Sequence, residues 1–123
     1  MPPLFSLYTR VIAMADSSHA TRSISFDAVR ELQNGGYRTI RVAGPSRIFD
    51  LIAWKGEKVL FLVVRRTRSG GIGGFAETVL DLAGFVREKV VPGPVQFWLY
   101  RSNTWLRYLI LPGGAVPIRG MVV

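Results

Sequence analysis

Basic side chains are concentrated in one stretch of the sequence, residues 38–68. This stretch has eight lysines and arginines against two acids, so it carries +6 of the chain's net charge of +8. Thirteen of the chain's 16 basic residues are arginines, and the planar guanidinium group forms paired hydrogen bonds with phosphate oxygens. The pattern predicts salt-sensitive binding to nucleic acid, and a basic surface that is simply solvated is the alternative. The candidate contacts are Arg38, Arg41, Arg47, Arg66 and Arg68.

The composition excludes several kinds of active site. The chain has no cysteine and a single histidine, His19. Disulfides, iron–sulfur clusters, thiolate zinc sites and cysteine nucleophiles are therefore excluded. One histidine also rules out a histidine-rich metal site and gives little support to a Ser-His-Asp triad. His19 is expected to be a solvated residue.

A glycine-rich segment, residues 70–74, could bring backbone N–H groups close to a phosphate. Residues 71–76 match the pattern G-x-G-x-x-A of dinucleotide-binding folds. However, the charged spacer 65–69 precedes the glycines, and no acid stands about 20 residues further on. A nucleotide cofactor is therefore not predicted. Gly71 and Gly73 are expected to approach a DNA phosphate at the start of a helix or to form a flexible connector, and both readings remain open.

These residues are carried by elements predicted in the order α-β-β-β-α-β-β within one α/β domain. A first helix is expected to begin at Ser23 or Ser25, to bury Ile24, Ala28 and Leu32, and to end at the glycines 35–36. The residues 59–64 are apolar on both faces, which indicates a central strand covered on both sides. The tail after residue 111 is expected to be irregular. Strands are predicted at 37–42, 48–54, 58–66, 95–100 and 105–111, and the second helix at 75–90.

The first part of the chain is expected to lie outside the folded unit. Residues 1–22 have no clear hydrophobic period and are predicted to be a poorly ordered extension of the domain at 23–123. Arg10 interrupts their apolar part, and no basic residue precedes it, so a secretory signal is not favoured. The chain also has no run of about 18 apolar residues that could span a membrane. A cytoplasmic location is therefore expected.

The segment 36–68 resembles a known enzyme pattern. It has a helix ending in Gly-Tyr, a basic strand, a small-residue turn, Phe-Asp-Leu-Ile-Ala around Asp50, a hairpin, and an apolar strand ending in basic residues. This resembles the PD-(D/E)XK nuclease superfamily, the restriction-endonuclease-like fold, and in particular the archaeal Holliday junction resolvases, over residues 24–111. The resemblance implies an αβββαβ core, with a central mixed sheet flanked by helices, and a homodimer.

The resemblance fails at the residues that perform the chemistry. In that family an aspartate is followed about a dozen residues later by Glu-x-Lys. Asp50 stands at the position of the aspartate, whereas Val63-Val64-Arg65 stands where Glu-x-Lys is expected. Valine supplies no oxygen to Mg²⁺, and arginine keeps its charge but cannot act as a base. Asp50 and Arg65 are therefore interpreted as the remnant of a catalytic site, paired with each other. No metal site is predicted, and Asp50 would be the ligand if there were one.

Three hypotheses about function follow. The leading hypothesis is a nuclease-fold protein that binds the backbone and shape of DNA, branched DNA included, without hydrolysing it and without a cofactor. The second is a Mg²⁺-dependent endodeoxyribonuclease, similar to a Holliday junction resolvase, in which Asp27, Glu31 or Glu77 replaces the missing carboxylate. The third is an assembly module whose basic surface is incidental.

Overall fold

The computed structural model describes residues 18–119, and its centre is a mixed sheet of six strands with one α-helix packed on each face. The predicted α/β class, with a mixed sheet flanked by helices, is confirmed. Of the predicted N-terminal extension, residues 1–17 lie outside the described part of the chain. In chain order the elements are α1 (Ser18–Asn34), β1 (Arg38–Arg41), β2 (Leu51–Lys55), β3 (Lys58–Arg66), a 3₁₀ helix (Ile72–Phe75), α2 (Ala76–Arg87), β4 (Val95–Arg101), β5 (Thr104–Leu111) and β6 (Gly114–Ile118).

The strands lie side by side in chain order, from β1 to β6. Neighbouring strands are antiparallel except β3 and β4, which are parallel. A parallel pair needs a crossover of about a dozen residues or more, and the segment containing α2 provides it. The C-terminal ends of β3 and β4 therefore lie at the same edge of the sheet. Within residues 18–119, neither α-helix is both long enough and apolar enough to cross a membrane.

Helix α1 begins earlier than the sequence predicts. It begins at Ser18, so Ser23 and Ser25 lie inside the helix and do not cap it. Residues 18–34 contain neither glycine nor proline, so no residue that disfavours helix stops it from extending past either serine. The predicted apolar face of Ile24, Ala28 and Leu32 is confirmed, because all three side chains are fully buried.

Two hydrophobic cores lie on opposite faces of the sheet. The α1 side is built on residues such as Leu51, Leu62, Val64 and Trp98, and the α2 side on residues such as Val63. The alternation of Leu62, Val63 and Val64 between the two cores confirms that β3 is covered on both faces. This alternation also fixes the face to which each polar residue at the ends of the strands belongs.

The tail of the chain contains a sixth strand, so the expectation of an irregular tail is wrong. β6 pairs with β5 in an antiparallel ladder that places Pro117 opposite Tyr108. Gly114 has φ +144° and begins the strand after the turn. Proline has no N–H to donate, which a strand tolerates at the edge of a sheet, and β6 is an edge strand. The prediction of an irregular tail did not allow for this exception.

Strand β2 begins at Leu51, later than the predicted start at residue 48. Ile48 and Phe49 are apolar, but they pack against the core on the α2 side from within a loop. The hydrogen bonding to β3 begins at Asp50, whose N–H donates to the carbonyl oxygen of Leu62 at 2.9 Å. Asp50 therefore lies where the loop becomes a strand.

Alanine at position 36 is expected to destabilise the fold by about 1–2 kcal/mol, because Gly36 has φ +89°, in a region that costs other residues about this much. A Cβ atom there would also lie 3.2 Å from Cε of Lys55. Urea unfolding monitored by circular dichroism measures the change.

The matched control is Gly73→Ala, since a Cβ atom at Gly73 meets no atom within 4 Å and its φ is not positive. This control is expected to stay within about 0.5 kcal/mol of the wild type. Equal stability of the two variants would contradict the strain assigned to Gly36.

Candidate functional site

The site is centred on Asp50, at the start of β2. The β2–β3 ladder begins with the pair Leu51 and Leu62, and Asp50 comes directly before it, with its N–H donating to the carbonyl oxygen of Leu62. Leu51 and Leu62 belong to the core on the α1 side, whereas Val63 belongs to the core on the α2 side. Because successive residues of a strand point to opposite faces, Val63 and Arg65 lie on the α2 side, and Arg65 binds the carboxylate of Asp50.

The carboxylate of Asp50 is buried, and both of its oxygens accept hydrogen bonds. Its side chain is 6% exposed. Atom Oδ2 accepts hydrogen bonds from the backbone N–H of Val64 and from Nη1 of Arg65, both at 2.8 Å. Atom Oδ1 accepts a hydrogen bond from Nε of Arg47 at 3.2 Å. The predicted ion pair between Asp50 and Arg65 is therefore present. Arg47, which the sequence pattern predicts only as a DNA contact, adds a second cation.

Both arginines are held in place by further contacts. Nη1 of Arg65 also donates to the carbonyl oxygen of Val64 at 2.8 Å, and Nη1 of Arg47 donates to the carbonyl oxygen of Gly44 at 3.2 Å. Each arginine side chain is 29% exposed, so part of each guanidinium group reaches solvent. With one carboxylate and two guanidinium groups, the cluster carries a net charge of +1.

Further arginines lie at the same edge of the sheet. β1 and β3 are each antiparallel to β2 and therefore run in the same direction, as does β4. Arg41, Arg66 and Arg101 are the last residues of these three strands, and the exposed Arg68 lies two residues beyond the end of β3. The six arginines of this basic edge, as we name it, are Arg41, Arg47, Arg65, Arg66, Arg68 and Arg101.

The structure separates one predicted residue from the basic edge and adds another. Arg38 begins β1 and pairs with Trp54, so it lies at the opposite end of the strand from Arg41. Arg101 was missed because its placement depends on the parallel pairing of β3 and β4, in which Arg66 lies opposite Tyr100. The only signal in the sequence was a basic residue at the end of a predicted strand.

Aromatic and backbone contacts orient several of these arginines. The guanidinium carbon of Arg41 lies 4.1 Å from the centre of the Phe26 ring, and that of Arg66 lies 5.6 Å from the centre of the Tyr100 ring. Such cation–π contacts are worth about 0.5–1 kcal/mol at exposed sites. Nη1 of Arg101 donates to the carbonyl oxygen of Gly70. These contacts therefore restrict the side-chain conformations of three of the six arginines of the basic edge.

A comparison with known structures found a protein with a similar fold. The structure is similar to that of Hjc, a Holliday junction resolvase from the archaeal hyperthermophile Archaeoglobus fulgidus, with a TM-score of 0.56 and 22% sequence identity. The similarity covers 74% of this chain and 73% of Hjc. The chain has a resolvase fold. No protein-family model and no curated protein sequence matches it.

The resolvase fold implies a magnesium ion at this position, but the residues present do not fit one. Mg²⁺ requires oxygen ligands in a nearly octahedral array. Val63 is 1% exposed and has no side-chain oxygen, and both oxygens of Asp50 already accept hydrogen bonds from arginine. Within residues 18–119, no group of three or more histidine, cysteine or acidic residues is placed to hold a metal ion. The cluster is therefore suited to anions rather than to cations.

Two of the candidate replacement ligands lie in α1 and are paired with arginines on the α1 side of the sheet. Asp27 lies 3.4 Å from Arg30 and 4.0 Å from Arg66, which follows Arg65 and so points to the α1 side. Glu31 lies 3.1 Å from Nη2 of Arg107. Burial lowers the pKa of the Arg107 guanidinium, while the charge of Glu31 opposes this shift.

The third candidate, Glu77, lies in the first turn of α2. In the described part of the chain, Asp27, Glu31 and Glu77 do not join Asp50 in a group that could hold a metal ion.

The glycine-rich segment lies between β3 and α2 of the resolvase fold. Gly70 has φ +78°, and residues 72–75 form a short 3₁₀ helix whose N-cap is Gly71. A Cβ atom at Gly71 or Gly73 would meet no atom within 4 Å, so neither glycine is required by packing. Their contact with DNA stays a prediction.

Proposed function

We propose that this chain is a nuclease-fold protein that binds DNA through its backbone and shape and does not hydrolyse it. The observation that carries the proposal is the state of Asp50, whose carboxylate is held by Arg47 and Arg65. The similarity in fold to a Holliday junction resolvase supports branched DNA as the preferred ligand. We expect Asp50 and Arg65 to be the remnant of the catalytic site of a nuclease ancestor.

The basic edge supports binding to a nucleic-acid backbone. Its six arginines lie at one edge of the sheet, and its one buried acid, Asp50, is outnumbered by them. Each phosphate that a protein neutralises on duplex DNA contributes a slope of about −0.9 to the dependence of log K on log salt. If all six arginines contact phosphates, the slope reaches about −5. Arg38 is expected to contribute less because it lies at the other end of β1.

We also propose that the protein is a cytoplasmic homodimer that needs no cofactor. The resemblance to the resolvases supports the dimer. Exposed apolar side chains, such as Leu80 at 69% and Val90 at 61%, support it too, because a second copy could cover them. Sedimentation of the purified protein measures the oligomeric state, and a monomer at micromolar concentration would contradict this part of the proposal.

The experiment that tests the proposal combines cleavage with binding. The protein is incubated with labelled four-way junction, flap and duplex DNA in Mg²⁺ or Mn²⁺, and its affinity for each DNA is measured by fluorescence anisotropy from low to high salt. We expect binding whose salt slope lies between about −2 and −5, and no cleavage.

The control is Asp50→Ala, which removes the remaining carboxylate. Cleavage that this variant abolishes would overturn the proposal in favour of a metal-dependent endonuclease. The absence of binding at low salt would leave the assembly module as the remaining hypothesis.

A further inference from the structure

We infer that Arg47 and Arg65, positioned by Asp50, form a metal-independent binding site for one phosphate group of the DNA. This inference rests on the proposed DNA binding and names the group bound at the remnant site. In it, two guanidinium groups take the place of the divalent cation that the fold implies, and Asp50 acts as a positioning residue.

The guanidinium groups have donors left for a ligand. Each arginine has five N–H donors. Arg47 uses Nε for Asp50 and Nη1 for Gly44, and Arg65 uses Nη1 for Asp50 and Val64. Within residues 18–119, Nη2 of neither arginine donates to a protein acceptor. Both side chains are 29% exposed, so neither arginine is closed off from solvent.

The arrangement of charge favours an anion at this position. The carboxylate of Asp50 is 6% exposed and lies behind two more exposed cations. An approaching ligand therefore meets a net charge of +1 on the solvent side. Because Asp50 holds one nitrogen of each arginine, the two groups lose little side-chain entropy when they bind. The site is therefore preorganised.

A phosphodiester fits this site better than an isolated carboxylate does. Guanidinium groups pair with both kinds of anion, but Arg66, Arg68 and Arg101 extend the positive charge along the same edge of the sheet. A ligand with anionic groups at regular intervals can contact these arginines at the same time as the site. DNA is such a ligand.

The experiment measures the affinity of the full chain for a labelled four-way junction at fixed ionic strength in the presence of a chelator. Arg47→Gln and Arg65→Gln each remove one guanidinium group. Arg87→Gln is the matched control, because Arg87 ends α2 and its Nη1 donates to the carbonyl oxygen of Pro112, at the end of the sheet away from the basic edge. A lost charge-assisted hydrogen bond corresponds to about a tenfold or greater loss of affinity. We expect such a loss for the first two variants, a salt slope reduced by about 0.9, and a change of less than threefold for the control.

Asp50→Asn separates positioning from overall charge. This variant makes the protein more positive by one, so an affinity set by charge alone would rise. If Asp50 positions the two arginines, the affinity falls about threefold or more despite the added charge. Arg65→Lys keeps the charge without the planar group and is expected to fall between the wild type and Arg65→Gln. Circular dichroism and thermal unfolding identify any variant that has not folded.

The outcomes distinguish this inference from the proposed function. DNA binding by the wild type with equal losses for Arg47→Gln, Arg65→Gln and Arg87→Gln would overturn the site and leave the proposed function intact. Loss of binding when the chelator is added would also overturn it. An unchanged or higher affinity of folded Asp50→Asn would overturn the positioning role. A wild type that binds no DNA would overturn both proposals.

Discussion

A variant with Val63→Glu, Arg65→Lys and Arg47→Gln is expected to bind Mn²⁺ beside Asp50. Val63 lies on the same face of β3 as Arg65, whose guanidinium group binds Asp50, so a glutamate at position 63 would bring a second carboxylate to the same side of the sheet. The lysine restores the residue that the nuclease pattern has at position 65. Removing Arg47 frees Oδ1 of Asp50, which this arginine occupies at 3.2 Å. The sequence pattern alone did not indicate the need for this third change.

The expected effect is a large stabilisation by metal. A metal ion present at 100 times its dissociation constant stabilises the folded state by about 2.7 kcal/mol. For a chain of this length that corresponds to roughly 10 °C in the midpoint of thermal unfolding. Thermal unfolding with and without Mn²⁺ measures the shift. The wild type is expected to shift by less than about 1 °C because its carboxylate is held by two arginines.

The matched control carries Val63→Gln in place of Val63→Glu. Glutamine has nearly the same size as glutamate but lacks its charge, so it separates metal binding from the effect of a larger side chain. Such a side chain costs about 1–3 kcal/mol at a buried position, and Val63 is 1% exposed. An equal response of the glutamate and glutamine variants to Mn²⁺ would show that position 63 does not correspond to the metal-binding glutamate.

Replacing Trp98 by alanine is expected to destabilise the protein by about 3–5 kcal/mol. Trp98 is fully buried in the core on the α1 side. Its ring centre lies 5.4 Å from that of Trp105 and 4.5 Å from the guanidinium carbon of Arg107. Its Nε1 donates to Oε1 of Gln96 at 2.8 Å. The substitution therefore removes apolar contact, a cation–π contact and a buried hydrogen bond together.

Urea unfolding provides the measurement, with Trp54→Ala as the control. Trp54 is only half-buried and belongs to neither core, so we expect a loss of about 1–2 kcal/mol. Two variants of equal stability would contradict the central place of Trp98 in the packing.

The sequence predicted most of the elements, because hydrophobic periodicity is local. The period of Ile24, Ala28 and Leu32 indicated the helix face that is buried, and β3 has the bounds that its apolar run predicts. Strand β6 was missed because its pairing with β5, rather than its own composition, allows Pro117 to stand in a strand. The start of α1 was missed because Ser23 and Ser25 favour an N-cap position, but a serine does not stop a helix from continuing through it.

The sequence by itself indicated the fold, through its resemblance to the nuclease pattern, and it showed that Val63-Val64-Arg65 stands where that pattern has Glu-x-Lys. It also indicated the pairing of Asp50 with Arg65. Only the tertiary structure placed Arg47 on the second oxygen of Asp50, brought Arg101 to the basic edge and left Arg38 at the far end of β1. The physical reason is that these contacts depend on the course of a loop and on which strands pair, and neither follows from the spacing of residues along the chain.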